Sequence, residues 1–145
     1  MIWGYAGGKL VKGRTRHMAT DTLGLLLSVV VTEANLGDRA GADLLGERLV
    51  GRFPRLVKLF ADSGYSGAEL AARLAALGGW ELETVRGREG QVGFEVQAKR
   101  WIVERTFAWL NQYRRLSKDY EELPVTSEAM IHIAMMHLML KRLDN

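Results

Sequence analysis

The sequence predicts an α/β fold in which a few strands form a sheet that helices cover. Short runs of apolar and β-branched residues alternate along the chain with longer segments whose apolar residues recur at helical spacing. The 145 residues, 48% of them hydrophobic, can bury one ordinary core and are too few for two. We therefore treat residues 1–145 as a single domain.

The first half of the chain is predicted to contain a β-hairpin and a helix. The glycine-rich segment from Gly4 to Gly13 is expected to be a loop or an extended lead into a strand. Arg14 to Thr20 and Leu25 to Val31 flank a short turn, and the second run is apolar enough to be buried on both faces. A helix then begins at Asp38. Its predicted inward-facing residues are Ala42, Leu44, Leu45, Leu49 and Val50.

The second half alternates strands and helices. A buried strand over Leu56 to Ala61 leads through a turn of small residues into an alanine-rich helix over about Gly67 to Leu77. Two glycines then give a signal that ends the helix. The remaining predicted elements are a strand over Trp80 to Val85, a polar loop over Arg86 to Gly93, and helices over about Val96 to Tyr120 and Thr126 to Arg142.

Composition limits the chemistry and the partners of the chain. Without cysteine it has no disulfide, thiolate zinc site or cysteine nucleophile, which suits a reducing cytoplasm. The net charge of +3 indicates a mildly basic protein, so the positions of its basic residues matter for anionic partners. The most apolar segment, Ala129 to Leu140, is shorter than the roughly 20 residues that span a bilayer. We expect a cytoplasmic protein with no membrane partner.

Asp62 stands where a strongly apolar strand ends and a turn of small residues begins. A strand end in an open α/β sheet holds a carboxylate rigidly and exposes it, which suits a catalytic or metal-binding group. The position equally suits a turn residue that caps the following helix. Spacing by itself leaves both roles open.

Glu104 falls on one polar stripe of the long predicted helix. The stripe consists of Arg100, Glu104, Ala108, Asn111 and Arg115. At about 100° per residue these positions lie within a narrow arc, opposite a broad apolar face. An exposed ion pair with Arg100 would explain Glu104 without any catalytic role, and such pairs contribute only about 0.3–0.5 kcal/mol.

Five sequence blocks together carry a family resemblance. They are Lys12-Gly13-Arg14-x-Arg16-His17, Thr20-Asp21-x-x-Gly24, Ala61-Asp62-Ser63-Gly64-Tyr65, Arg100-Trp101-x-Val103-Glu104-Arg105-Thr106-Phe107-x-Trp109-Leu110 and Tyr113-Arg114-Arg115-Leu116-x-Lys118-Asp119-Tyr120-Glu121. In this order they resemble bacterial insertion-sequence transposases of the DDE type. The blocks extend over almost the whole chain, and the one around Glu104 is long and specific.

The resemblance implies a ribonuclease H-like fold and a DNA reaction. Such transposases cleave DNA at the ends of an insertion sequence and join it to target DNA, with a DDE triad that binds two Mg²⁺ or Mn²⁺ ions. The displacements at phosphorus build negative charge on oxygen, which two hard cations about 4 Å apart stabilise. By resemblance, Asp62 is the second acidic residue and Glu104 the third, with Arg100 four residues before it. Asp62 and Glu104 are the expected catalytic residues and metal ligands.

The first aspartate of the triad has no counterpart in this sequence. In the family it lies on a strand before the Lys12 block, whereas no acidic residue precedes Asp21 here. The resemblance therefore implies a fold truncated at its N-terminus, with its first strand missing, and a partial catalytic domain. Asn111 also replaces a lysine that some relatives carry seven residues after the glutamate.

Two other aspartates are candidates for local roles. Asp21 is the nearest substitute for the missing metal ligand, although it matches a separate block and could instead stabilise the hairpin turn. Asp38 belongs to a family-like stretch, and its position at a helix start favours an N-cap role.

The basic residues fit a DNA substrate. Contacts of such residues with phosphates would be independent of sequence and sensitive to salt. The candidates are Lys12, Arg14, Arg16, Arg100, Arg105, Arg114 and Arg115. Each is equally compatible with an ordinary solubilising surface.

Four aromatic and histidine residues have weaker signals. Trp101 and Trp109 could stack on DNA bases, although their helical spacing is more typical of packing. His132 and His137 lie five residues apart in the most apolar helix, so we expect buried structural histidines rather than a zinc site.

Three hypotheses for the function remain open at the level of sequence. The first is the C-terminal part of a transposase, which works with an upstream transposase segment and which could form a homo-oligomer. The second is a non-catalytic fragment that binds DNA or inhibits transposition. The third is a decaying remnant that folds poorly because a missing strand exposes a sheet edge.

Overall fold

The computed structural model describes residues 2–11, 13–62, 65, 67–84 and 100–144, and for residues 2–11 and 100 it describes the backbone. In these ranges the strands are β1 (Ile2–Val11), β2 (Arg14–Thr20), β3 (Leu26–Glu33), β4 (Leu56–Ala61) and β5 (Glu81–Thr84). The helices are α1 (Asp38–Leu49), α2 (Ala68–Gly78), α3 (Arg100–Asn111) and α4 (Pro124–Leu143), with a 3₁₀ turn at Arg114–Leu116 between the last two.

The strands form one sheet in the order β3-β2-β1-β4-β5. β1 lies at the centre, antiparallel to β2 and parallel to β4. The segment expected to be a loop or an extended lead is therefore mostly a strand, because neighbours on both sides pair with its backbone despite its glycines. β1 contains no Asp or Glu. The N-terminal truncation that the resemblance implied stays a prediction.

Helices cover both faces of the sheet. One buried cluster joins Met18, Val29 and Phe60 to residues of α3 and α4. The other joins Ala19, Leu59 and other sheet residues to α1 and α2. Because side chains alternate between the faces of a strand, successive residues such as Leu59 and Phe60 enter different clusters. The predicted α/β order is confirmed, and β3 is buried along most of its length on both faces.

α1 approaches the sheet through a glycine. A Cβ added at Gly41 would lie 2.4 Å from the ring of His17, so only glycine permits this contact. The buried side of α1 is consequently centred on Gly41, Leu45 and Leu49. Leu44 and Val50 were predicted to face inward, but they are 36% and 43% exposed.

The two C-terminal helices differ from their predicted bounds. The helix expected to continue to Tyr120 ends at Asn111, because Tyr113 adopts an extended conformation before the 3₁₀ turn. α4 begins at Pro124, which suits a first helical turn because its missing N–H has no partner to lose there. The predicted loop at 86–93 and the predicted helical residues 96–99 lie outside the described residues.

Candidate functional site

Asp62 directly follows β4 and is half-buried. It comes two residues after Phe60, which belongs to the same buried cluster as Ile102 and Val103 of α3. By the alternation of a strand, Asp62 continues the row of Phe60 on the face that α3 covers. A carboxylate at this strand end therefore lies on the α3 side of the sheet.

Glu104 is exposed on α3, and the residues beneath it are buried. Ile102, Val103 and Phe107 enter the core, and the helix packs against β1 and β2. α3 is also fixed in rotation, because Thr106 Oγ1 donates a hydrogen bond to the carbonyl of Gly24 over 2.7 Å. Glu104 is consequently held on a rigid helix with its side chain toward solvent.

Gly24 makes this attachment possible. It has a φ of 82°, a left-handed conformation that favours glycine. An added Cβ would lie 2.8 Å from Thr106 Oγ1 and 3.0 Å from the Trp109 ring. The β2–β3 turn thus touches α3 at a position where a side chain does not fit.

The oxygen ligands of this region fit a hard divalent cation, but the set is incomplete. Carboxylates such as Asp62 and Glu104 are the ligands that Mg²⁺ prefers. In the parts of the chain that the structure describes, no three His, Asp or Glu residues are grouped so that they could hold a metal ion. In register, Ala6 of β1 pairs with Ala61, so the next position, Gly7, lies beside Asp62. A glycine therefore occupies the neighbouring position on the central strand.

Asp21 stabilises the hairpin turn. Its Oδ1 accepts the backbone N–H groups of Leu23 and Leu25, each over 2.9 Å. Thr20 pairs with Tyr5, so Asp21 lies about three residues along the sheet and two strands across from Asp62, or roughly 14 Å away. The two aspartates are too far apart to share one pair of ions separated by about 4 Å. The turn role is the one that the geometry supports.

Asp38 is the first residue of α1, and the N-cap is Gly37, without a side-chain cap. The predicted N-cap role of Asp38 is therefore wrong. Its charge instead acts on two neighbours. Burial raises the pKa of the Tyr65 hydroxyl above its usual range, and the charges of Asp38 and Asp62 raise it further. Burial lowers the pKa of His17, and the charge of Asp38 opposes that shift.

His17 supports the segment that follows Asp62. It is fully buried, with Nδ1 3.1 Å from the Tyr65 hydroxyl and Nε2 3.1 Å from Thr32 Oγ1. The first and third sequence blocks thus meet inside the protein. No local pattern predicts this pair, because His17 and Tyr65 lie 48 residues apart.

The guanidinium groups of Arg14 and Arg16 bind acceptors of the protein itself, which speaks against the predicted contacts with DNA. Arg14 donates to Asp119 Oδ2 over 3.0 Å and to the carbonyls of Glu121 and Glu122. Arg16 is 4% exposed and donates to the carbonyl of Leu116 over 2.9 Å. Together they hold the α3–α4 connection against β2.

The other basic candidates differ in their surroundings. Arg105 stacks between aromatic residues, with its guanidinium carbon 4.2 Å from the ring centre of Trp101 and 4.6 Å from that of Trp109. Arg115 is 56% exposed and pairs with Glu121 over 2.6 Å. Arg114 is exposed. Lys12 and the side chain of Arg100 lie outside the described residues.

The histidines of α4 are exposed, which corrects the prediction that they are buried. His132 and His137 lie on the outer side of the helix, and His137 Nδ1 is 2.8 Å from the hydroxyl of Tyr113. The apolar stretch around them reaches solvent because α4 covers the sheet with one side only. Among the described helices, none has the length and apolar character needed to cross a membrane.

The sequence matches the family described as Transposase DDE domain over residues 1–139. A transposase attributed to insertion sequence element IS402 of Burkholderia cepacia is 32% identical over 121 residues, which are 75% of this chain and 54% of that relative. The chain thus spans about half the length of this curated relative.

Two solved structures share the fold. The catalytic core domain of BIV integrase gives a TM-score of 0.61 at 18% identity, covering 92% of this chain and 80% of that one. A chain of the simian T-cell lymphotropic virus intasome, solved with a PP2A regulatory subunit, gives a TM-score of 0.58 at 18% identity. This match covers 92% of the present chain and 46% of the intasome chain. At this identity the likeness concerns the fold alone, and it supports the ribonuclease H-like arrangement.

Proposed function

The chain belongs to the Transposase DDE domain family, and from that premise we propose that it acts as the C-terminal part of an insertion-sequence transposase. Its reaction would be phosphoryl transfer on DNA, in which strands at the ends of the insertion sequence are cut and joined to target DNA. Such a protein would act in the cytoplasm, where bacterial DNA is found.

The proposal is supported by strand alternation, from which two carboxylates are expected on one side of the sheet. Asp62 follows β4 in the row of Phe60, and Glu104 is exposed on the helix that covers that row. Rigid elements position both, as catalytic groups require. The basic residues that remain candidates for phosphate contact are Arg105, Arg114 and Arg115, together with Lys12 and Arg100.

Asp62 and Glu104 would bind Mg²⁺ or Mn²⁺ together with a third carboxylate. When bound, two such ions would activate the attacking oxygen and stabilise the leaving one. Because β1 has no acidic residue, we propose that the third carboxylate comes from an upstream transposase segment or from a second copy in a homo-oligomer. By itself the chain would be a weak catalyst.

Paramagnetic broadening of amide NMR signals by Mn²⁺ tests whether the two carboxylates share a metal. We expect the amides around Asp62 and Glu104 to broaden together at low Mn²⁺ concentration. Asp62→Asn or Glu104→Gln should weaken the broadening at both places. Glu47→Gln, which changes an exposed acid on α1, is the matched control and should have no effect. Broadening that follows one carboxylate independently of the other would refute a shared site.

A non-catalytic DNA-binding or inhibitory fragment is the second candidate function. The absence of any acidic residue from the central strand favours it. In that case the Asp62→Ala and Glu104→Ala variants retain salt-dependent DNA binding, and the chain does not nick a plasmid even when an upstream segment with its aspartate is supplied. Nicking restored by that segment would exclude it. A sharp cooperative melt of the isolated chain would count against a remnant that folds poorly.

A further inference from the structure

A groove of about 400 Å³ lies between the C-terminal ends of α3 and α4, outside the region of Asp62. Its volume is within the range of roughly 300–1,000 Å³ that small-molecule sites occupy. Trp109, Gln112 and Tyr113 line one side, and His137, Lys141 and Arg142 line the other. Each of these six side chains has a polar group, three of them are aromatic, and Lys141 and Arg142 are charged.

The groove favours an anionic ligand. Lys141 and Arg142 are cationic, and among the described residues no carboxylate lines the groove. Basic residues in a last helical turn also offset the helix dipole, which by itself would explain their presence. The position of Arg142 is a second, independent observation.

Arg142 lies over an aromatic ring at the wall of the groove. Its guanidinium carbon lies 4.2 Å from the ring centre of Trp109, and that of Arg105 lies 4.6 Å from the same ring. A stacked guanidinium keeps the N–H groups of its edge available for phosphate, and its plane can stack on a base. Trp101, Arg105 and Trp109 of α3 and Arg142 of α4 are thus joined by a series of cation–aromatic contacts.

The groove also contains groups that can recognise a base edge. The Tyr113 hydroxyl and His137 Nδ1 are 2.8 Å apart, and their rings meet at 82°, so each ring orients the other. The amide of Gln112 has both donor and acceptor atoms. Aromatic rings and hydrogen-bonding groups suit a base, and cations suit a phosphate.

We propose that this groove binds an unpaired nucleotide of a DNA strand, with its phosphate on Arg142 and its base beside Tyr113 and His137. The assignment rests on the proposed function, since it takes a DNA strand as the ligand. Bases inside a duplex are stacked and paired, so only an unpaired base can enter a groove of this size.

The groove lies farther along α3 than Glu104 and on another side of the helix. Trp109 follows Glu104 by five residues, which is about 7.5 Å along the helix axis and about 140° around it. A DNA strand held in the groove would therefore have to pass around α3 to reach the proposed reaction centre.

Binding of a single-stranded oligonucleotide, measured by fluorescence anisotropy without divalent metal, tests the proposal. We expect Arg142→Ala to weaken binding about tenfold, the order expected when a charge-assisted hydrogen bond to phosphate is removed in this groove, and to leave duplex binding almost unchanged. Arg52→Ala is the matched control, because Arg52 also stacks on a ring, that of Phe53, at the far end of α1. Equal losses in both variants would show general electrostatic attraction and overturn the proposal.

Photocrosslinking distinguishes occupancy of the groove from a change in charge. A strand with a single 5-bromodeoxyuridine should crosslink to Trp109 or Tyr113, and Gln112→Ala should reduce the yield. Crosslinks elsewhere, or binding of a free deoxynucleotide monophosphate as tightly as the strand, would overturn it. Because no metal is present, a failure here leaves the Mn²⁺ test of Asp62 and Glu104 unaffected, and a failure of that test leaves this one interpretable.

Discussion

Arg48 and Glu128 form an ion pair across the outer edge of the sheet, with Arg48 Nη1 2.6 Å from Glu128 Oε2. Glu128 Oε1 also accepts the backbone N–H of Val31 over 2.9 Å, and Arg48 donates to the carbonyl of Val29 over 2.8 Å. Both backbone groups belong to β3, the strand at the end of the sheet. Helices from opposite faces thereby cover hydrogen-bonding groups that an edge strand would otherwise leave open.

Replacing Glu128 with alanine should destabilise the protein by about 1–3 kcal/mol, because it leaves a half-buried cation and a buried N–H group without their partner. Urea unfolding measures the change, and light scattering reports any association through the uncovered edge. Glu47→Ala, which removes an exposed acid from α1, should have little effect on either. Equal stability of the two variants would contradict the role given to Glu128.

Gly7→Asp should add a third carboxylate to Asp62 and Glu104 and so create a stronger metal site. In register, position 7 pairs with Met18, which lies in the cluster under α3, and it adjoins Asp62. A third carboxylate there should make Mg²⁺ bind at least about tenfold more tightly, because affinity rises with the number of charged ligands. A melting temperature that rises with added Mg²⁺ is the measurement.

Gly8→Asp is the control for that variant, since it pairs with His17 and so faces the other side of the sheet. It should show no Mg²⁺-dependent rise in melting temperature. The rise in Gly7→Asp should also disappear when Asp62→Asn is added. Persistence of the effect in the double variant would mean that the ion binds elsewhere.

Arg16→Lys should reduce stability and leave DNA affinity unchanged. The buried guanidinium donates to backbone carbonyls of the α3–α4 connection, and a lysine cannot reproduce its fork. We expect a loss of about 1–3 kcal/mol in urea unfolding. Arg114→Ala should show the reverse pattern, with unchanged stability, weaker DNA binding and a salt slope reduced by about one. A DNA defect in Arg16→Lys at full stability would restore the sequence-based assignment.

His17 should make stability depend on pH. Burial lowers its native pKa below that of the unfolded chain, so the unfolded state takes up protons more readily. The contribution of His17 is therefore complete above about pH 6.5, and it is lost as the pH falls toward the lowered native pKa. Urea unfolding between about pH 8 and 5 should show a shallower dependence in His17→Gln. His132→Gln changes an exposed histidine whose pKa is also lowered, and it should have a smaller effect.

The sequence predicted those parts of the fold that depend on residues close together in the chain. The apolar run Leu56 to Ala61 and the turn after it are enough to place Asp62 at a strand end. β1 could not be predicted in the same way, since a glycine-rich segment becomes a strand only through partners on both sides. The roles of Arg14 and Arg16 were missed for a similar reason, because their acceptors lie about a hundred residues later in the chain.

The hydrogen bonds of Arg14 and Arg16 to the α3–α4 connection, here called the clamp, affect the entropy of binding in the groove between α3 and α4. Because the connection is tied to β2, the two helices are held in one arrangement before any ligand arrives. When a DNA strand enters the groove, the loss of conformational entropy then falls mainly on the DNA and little on the protein. Loosening the clamp should therefore weaken the binding of a nucleotide by a cost in entropy, although neither arginine would touch it.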